Sequence, residues 1–150
     1  GHMAPSYGIG LCYGTNSQKQ TFTMSNVIPQ KPDLNQGPWR MLEKEVAENW
    51  SQKYDKVWVV TGPIFSPEQT NRLNGVRIPV GSWKVIVDEN YSDRVRMLAF
   101  RMPQTAGRKD KFDMYITTVD VVERLTGLDL FHELPEYLET QAERGMFPGR

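Results

Sequence analysis

The chain has 150 residues, 39% of them hydrophobic, with four Trp, six Tyr and six Phe. That size and apolar content support one packed domain burying roughly 70% of its unfolded surface, and exclude a disordered chain. The net charge of zero argues against a protein that binds by coating phosphates, and a single cysteine, Cys12, excludes an internal disulfide or a cysteine-built zinc site. No apolar run approaches the ~18 residues that a membrane span requires.

Residues 5–20 are rich in Gly, Ser, Asn and Tyr and read as a loop. Thr21 to Ile28 reads as a short strand. Pro29, Pro32 and Pro38 then punctuate a turn that opens a helix from about Gly37 to Tyr54, with Pro38 in the first turn, where a missing N–H costs little. Along that helix Trp39, Leu42, Val46 and Trp50 recur at helical spacing, and Glu43, Lys44, Glu45 and Glu48 fill much of the rest.

The continuous apolar run Val57–Val60, ending at Gly62-Pro63, predicts a strand buried on both faces. Further strands are predicted at Val76–Val80, Trp83–Val87 and Met97–Met102. In Phe112–Ile116 alternation predicts a strand with one wet face, and Trp39, Val46, Val57, Val59, Phe112 and Ile116 are expected to share one core. Thr117 and Asp120 resemble a capping box opening a short helix that Gly127 closes. Strands flanked by helices without regular alternation make the fold class α+β, with no internal domain boundary in residues 1–150.

Charge is unevenly spread. Six basic residues lie between Arg94 and Lys111 against Asp110, and five acids without Lys or Arg lie between Asp129 and Glu143. The basic stretch reads first as a solvated face and second as a phosphate contact.

Three short strings occur in order: Gly1-His2-Met3-Ala4-Pro5, Ser25-Asn26-Val27-Ile28-Pro29-Gln30 and Leu34-Asn35-Gln36. Later segments join them: Val60-Thr61-Gly62-Pro63-Ile64-Phe65, Ile78-Pro79-Val80 and Val122–Asp129. As an ordered set they resemble the DNA/RNA non-specific endonucleases, the ββα-metal nucleases that include secreted bacterial nucleases and mitochondrial endonuclease G. The Asp-Arg pair that precedes Gly-His in that family does not precede Gly1 here. The resemblance therefore implies the C-terminal part of a nuclease, beginning inside the signature: an antiparallel-rich sheet packed by a long helix and lacking the family's N-terminal portion.

The resemblance implies hydrolysis of phosphodiester bonds in DNA and RNA with Mg²⁺, or Mn²⁺, as cofactor. His2 is then the general base, a role that suits a side chain able to stand unprotonated at neutral pH and still accept a proton. Asn35 is the metal ligand; a lone amide oxygen suits Mg²⁺, which keeps most of its waters. Glu43 acts on water near the ion, and Asn26 orients the histidine or a water. Arg40 and Arg108 are candidate substrate contacts. His132 matches no family position and is left out.

Each residue also has a plainer account. Gly-His-Met is what a cleaved affinity tag leaves, Asn35 suits a helix N-terminus, Asn26 suits a turn, and Glu43 suits an exposed helix face. Eight residues of straight helix rise about 12 Å, so Asn35 must precede the helix proper or Glu43 must act through water or substrate. The alternative readings are an impaired or non-enzymatic remnant, or one half of a cleaved nuclease. Lacking part of its sheet, the chain is expected to associate with itself or with the missing N-terminal segment. The resemblance implies a secreted, periplasmic or mitochondrial setting and no membrane partner.

Overall fold

A computed structural model describes residues 1–90 and 94–132. Its centre is an antiparallel pair, β4 (Gly81–Asn90) and β5 (Arg94–Pro103), in register from Gly81 opposite Pro103 to Asn90 opposite Arg94. β1 (Val57–Ile64) pairs with the other side of β4, and the short β6 (Ile116–Thr117) pairs with β5, giving the order β1-β4-β5-β6. A separate hairpin joins β2 (Arg72–Leu73) to β3 (Val76–Arg77) through Asn74-Gly75. Both turn residues have positive φ, 49° and 84°, the conformation that Asn-Gly supplies at low cost. The strand expected over Val76–Val80 is thereby shortened to two residues.

Alternation along β4 and β5 sends successive side chains to opposite faces, and both faces are covered. On one face Ile86, Leu98, Phe100 and Met102 pack with Met3, Leu34, Trp39 and Leu42. On the other Trp83, Val85, Val87, Met97 and Ala99 pack with Ile64, Val119 and Val122. The expected single core is therefore two, with helices on both sides of an antiparallel sheet, an α+β arrangement.

Helix geometry departs from expectation in several places. Residues 5–20 hold α1 (Ser6–Gln20), broken at Gly14 (φ 82°), instead of a loop. Thr21–Ile28 contains a 3₁₀ turn at Met24–Asn26 and a single bridge from Val27 to His2, not a strand. The long helix comprises the turn α2 (Pro32–Leu34), a wide turn over Asn35–Trp39, α3 (Arg40–Glu45), a second wide turn over Val46–Trp50, and α4 (Ser51–Lys53). In the first wide turn Gly37 is non-helical (φ −101°, ψ −119°), so Asn35 lies before the helix proper.

α5 (Val119–Thr126) is capped by Thr118, whose side chain accepts from the Val121 N–H, one residue later than expected, and it ends at left-handed Gly127. Phe112–Tyr115 is a 3₁₀ turn, and the expected strand survives only as Ile116–Thr117. Phe112 still packs edge-on against Phe100, at 6.0 Å between ring centres, but Ile116 is exposed.

β1 reverses a further expectation. Its apolar run is an outer strand, with Trp58, Val59 and Val60 exposed and Val57 half-buried. A continuous apolar run looks the same in sequence whether its neighbours are present or absent.

Phe100 is fully buried between β5 and the helix layer. Phe100→Ala is expected to lower stability by about 3–5 kcal/mol in urea unfolding; a loss below ~1 kcal/mol would contradict this packing.

Candidate active site

The first three residues are integral to the fold. The Gly1 amino group donates to the Ile28 carbonyl at 2.7 Å, the Ile28 N–H donates back to the Gly1 carbonyl at 3.0 Å, and the Met3 N–H donates to the Asn26 carbonyl at 2.9 Å. His2 thus lies opposite Val27 in an antiparallel bridge, and Met3 is buried in the core. The Asn26 side chain clamps this pairing. Its Oδ1 accepts from the Ala4 N–H at 2.8 Å, and its Nδ2 donates to the carbonyls of Ala4 and Thr21, both at 2.9 Å. Asn26 therefore positions His2 through the backbone, its amide being spent on main-chain groups.

The His2 ring meets the edge of Phe22 at 5.1 Å, and its Nε2 is buried with no hydrogen-bond partner. The backbone carbonyl of His2 accepts from the Trp39 indole N–H at 3.3 Å.

Gly1 sits against the turn that carries Asn35. A Cβ at Gly1 would overlap the side-chain oxygens of Gln30 and Asn35, so two amide oxygens meet close against the Gly1 backbone. Gln30 donates through Nε2 to Ser82 Oγ at 3.1 Å, while its Oε1 is buried without a partner. These oxygens fit a hard cation. No group of three His, Cys, Asp or Glu side chains suited to a metal occurs among the described residues. A divalent ion here would therefore rest on few protein groups and retain waters, as Mg²⁺ does.

The turn is braced from outside. A Cβ on Gly37 would fall 2.7 Å from the Arg108 carbonyl oxygen, so the 104–111 loop approaches as closely as glycine permits. The Arg108 guanidinium bonds Gln36 Oε1 and is otherwise exposed, beside the Asn35 turn. Arg40, the first residue of α3, is exposed.

Glu43, on α3, is not an exposed helix glutamate. It lies 17% exposed with Oε1 3.6 Å from Lys84 Nζ, an ion pair just beyond hydrogen-bond reach. Lys84, on β4, is 1% exposed, and its Nζ stands 4.4 Å over the Trp39 ring. Burial pushes the Glu43 carboxyl up from its usual range while Lys84 pulls it back; burial pushes the Lys84 ammonium down while Glu43 opposes. Burial also lowers the Gly1 amino group, and the nearby Glu43 charge opposes that shift.

Sequence reasoning missed Lys84, Gln30 and the second role of Trp39. For Lys84 a signal existed. Lys84 shares the strand phase of Ile86, so it points at the helix layer, where a buried ammonium needs a carboxylate and Glu43 is at hand.

An antiparallel sheet, a helix entered through an Asn-bearing turn and a histidine docked beside that turn place the chain in a class that the comparisons define. It belongs to the DNA/RNA non-specific endonuclease family, whose profile matches residues 1–137. The Serratia marcescens nuclease is 32% identical, over 99% of this chain and 56% of that protein. The Nostoc nuclease is 30% identical, over 95% of this chain and 54% of its own length. Human mitochondrial endonuclease G is 28% identical, over 85% of this chain and 46% of its own. In the crystal structure of the EndoG/EndoGI complex, a chain superposes with a TM-score of 0.78 at 26% identity, covering 92% of this chain and 60% of that one. The chain spans about half the length of the curated relatives it matches.

Removing the Lys84 cation should show as a pH-dependent loss of stability. In Lys84→Met the Glu43 carboxyl stays buried without its partner, so its folded pKa rises further above the ordinary value of 4.5. The neutral form is then favoured by folding, and stability falls as pH rises from that value through the folded pKa. The melting deficit against the parent should reach about 3–5 kcal/mol near pH 8 and shrink toward pH 5. An equal deficit at both would contradict the pairing.

Proposed function

We propose that this domain is a Mg²⁺-dependent, sugar-non-specific endonuclease that hydrolyses phosphodiester bonds of DNA and RNA; Mn²⁺ is the second candidate ion. The observation that carries this reading is the unpartnered Nε2 of His2, one residue from a glycine wrapped by the oxygens of Asn35 and Gln30. His2 takes the proton from the attacking water at a ring nitrogen of an imidazole held by the Val27 bridge and Phe22. Asn35 holds the ion, with Gln30 Oε1 facing the same space. When bound, the ion supplies positive charge against the negative charge that builds on the phosphate. Glu43 orients water at this site, and Asn26 keeps His2 in place through the main chain. Arg108, next to the Asn35 turn, and Arg40 contact the substrate phosphates, and contacts confined to phosphate and sugar account for low base preference.

The exposed outer edge of β1 supports a protein partner as well. Unpaired strand edges carrying apolar side chains recruit another strand. The candidate donors are the N-terminal segment that the family carries before the motif and a second copy of this chain. No helix among the described residues is long and apolar enough to cross a membrane.

Asn35→Ala removes a ligand but no core packing, so the unfolding midpoint should hold while Mg²⁺-dependent plasmid cleavage falls by about 10²-fold or more. Retained cleavage would remove Asn35 from the site. Sedimentation of the purified chain should show association that Val59→Lys, on the outer strand, weakens. A monodisperse monomer at all concentrations would contradict the open-edge reading.

A further inference from the structure

A fully buried lysine is costly, and the sheet has no packing need for one. Lys84 occupies a phase of β4 where Ile86 two residues on is an ordinary core residue. Its ammonium lies 3.6 Å from the Glu43 carboxylate and 4.4 Å from the centre of the Trp39 ring. Trp39 in turn holds the His2 carbonyl through its indole N–H at 3.3 Å. The side chains on which the proposed chemistry depends are thus tied to one immobile cation, Glu43 directly and His2 through the indole. A β-strand lysine paired with a neighbouring sheet would leave no such link.

We propose that Lys84 is a positioning residue for catalysis, holding the Glu43 carboxylate in place through their buried ion pair. The inference rests on the nuclease reading above. Lys84 touches no substrate in it. Its effect passes through Glu43, and that distinguishes it from a residue that merely fills the core. Glu43 and Lys84 both line a groove of about 710 Å³ beside α1 and β1. Without the cation the carboxylate loses the main charge that opposes its protonation.

The test is a double-mutant cycle on the full chain with Mg²⁺ and supercoiled plasmid, comparing Lys84→Met, Glu43→Gln and the double variant, each checked for folding by thermal melting. Lys84→Met should lower kcat by about 10-fold or more with KM within about twofold, and the double variant should be no slower than Glu43→Gln, within about threefold. Should Lys84→Met fail to fold, Lys84→Gln replaces it in the same cycle. Losses that multiply in the double variant, or a change carried mainly by KM, overturn the proposal.

A second arm does not depend on cleavage. The groups facing Glu43 are Lys84, the Trp39 indole and the Gly1 amino group. In a ¹³C-carboxyl titration the Glu43 resonance should move to higher pH in the lysine variant, and an unchanged resonance overturns the proposal. If the parent chain does not cleave, the nuclease reading fails by itself, while this titration still decides whether Lys84 sets the state of Glu43.

Discussion

The site depends on a short piece of backbone pairing. Gly1, His2 and Met3 run antiparallel to Asn26, Val27 and Ile28, and the Asn26 amide closes the ladder with three further bonds. Met3 then enters the core beside Leu34 and Trp39, Gly1 packs against the Asn35 turn, and the Nε2 of His2 is buried without a partner. A hydrogen-bonded backbone with one buried anchor is rigid, as a preorganised catalytic group must be. Asn is well suited to the clamp because one amide both donates and accepts, satisfying main-chain groups that would otherwise be orphaned near the core.

The second constraint is electrostatic. Lys84 and Glu43 form an ion pair almost out of water, flanked by an aromatic face and packed beside an apolar core. Such a pair contributes little net stability over a well-packed hydrophobic pair, because desolvation offsets most of the attraction. On the proposed reading its consequence lies in the state of the carboxylate more than in the stability of the fold. The kink at Gly37 interrupts the helix, so Asn35 and Glu43 do not lie on one straight helix.

How much of this was legible in the sequence varied with the kind of signal. The middles of β4 and β5, at Trp83–Val87 and Met97–Met102, were located by their largely apolar runs, and their ends at Asn90 and Arg94 were not. Trp39 and Leu42 were placed in the core by helical spacing, and the ordered motifs led to Asn35 and His2. α1 was not legible, since its glycines and polar residues leave no apolar stripe and it is broken near its middle at Gly14. The outer position of β1 was not legible either, because Val57–Val60 reads alike at an edge or at a centre. Phe112–Tyr115 alternates like a strand yet forms a 3₁₀ turn, a short segment whose tertiary contacts with Phe100 outweigh its local pattern. Local patterns report what a residue prefers to bury, and not which neighbour arrives to bury it.

The most direct test of the central claim is the cleavage rate of His2→Ala against the parent chain, under Mg²⁺ and at equal folded fraction. The backbone bridge to Val27 does not involve the imidazole, so the fold should persist. The account predicts a loss of about 10²–10⁴-fold, the range for removal of a general base. Cleavage within a few-fold of the parent would contradict it, and would mean that the docked histidine is not the group that takes the proton.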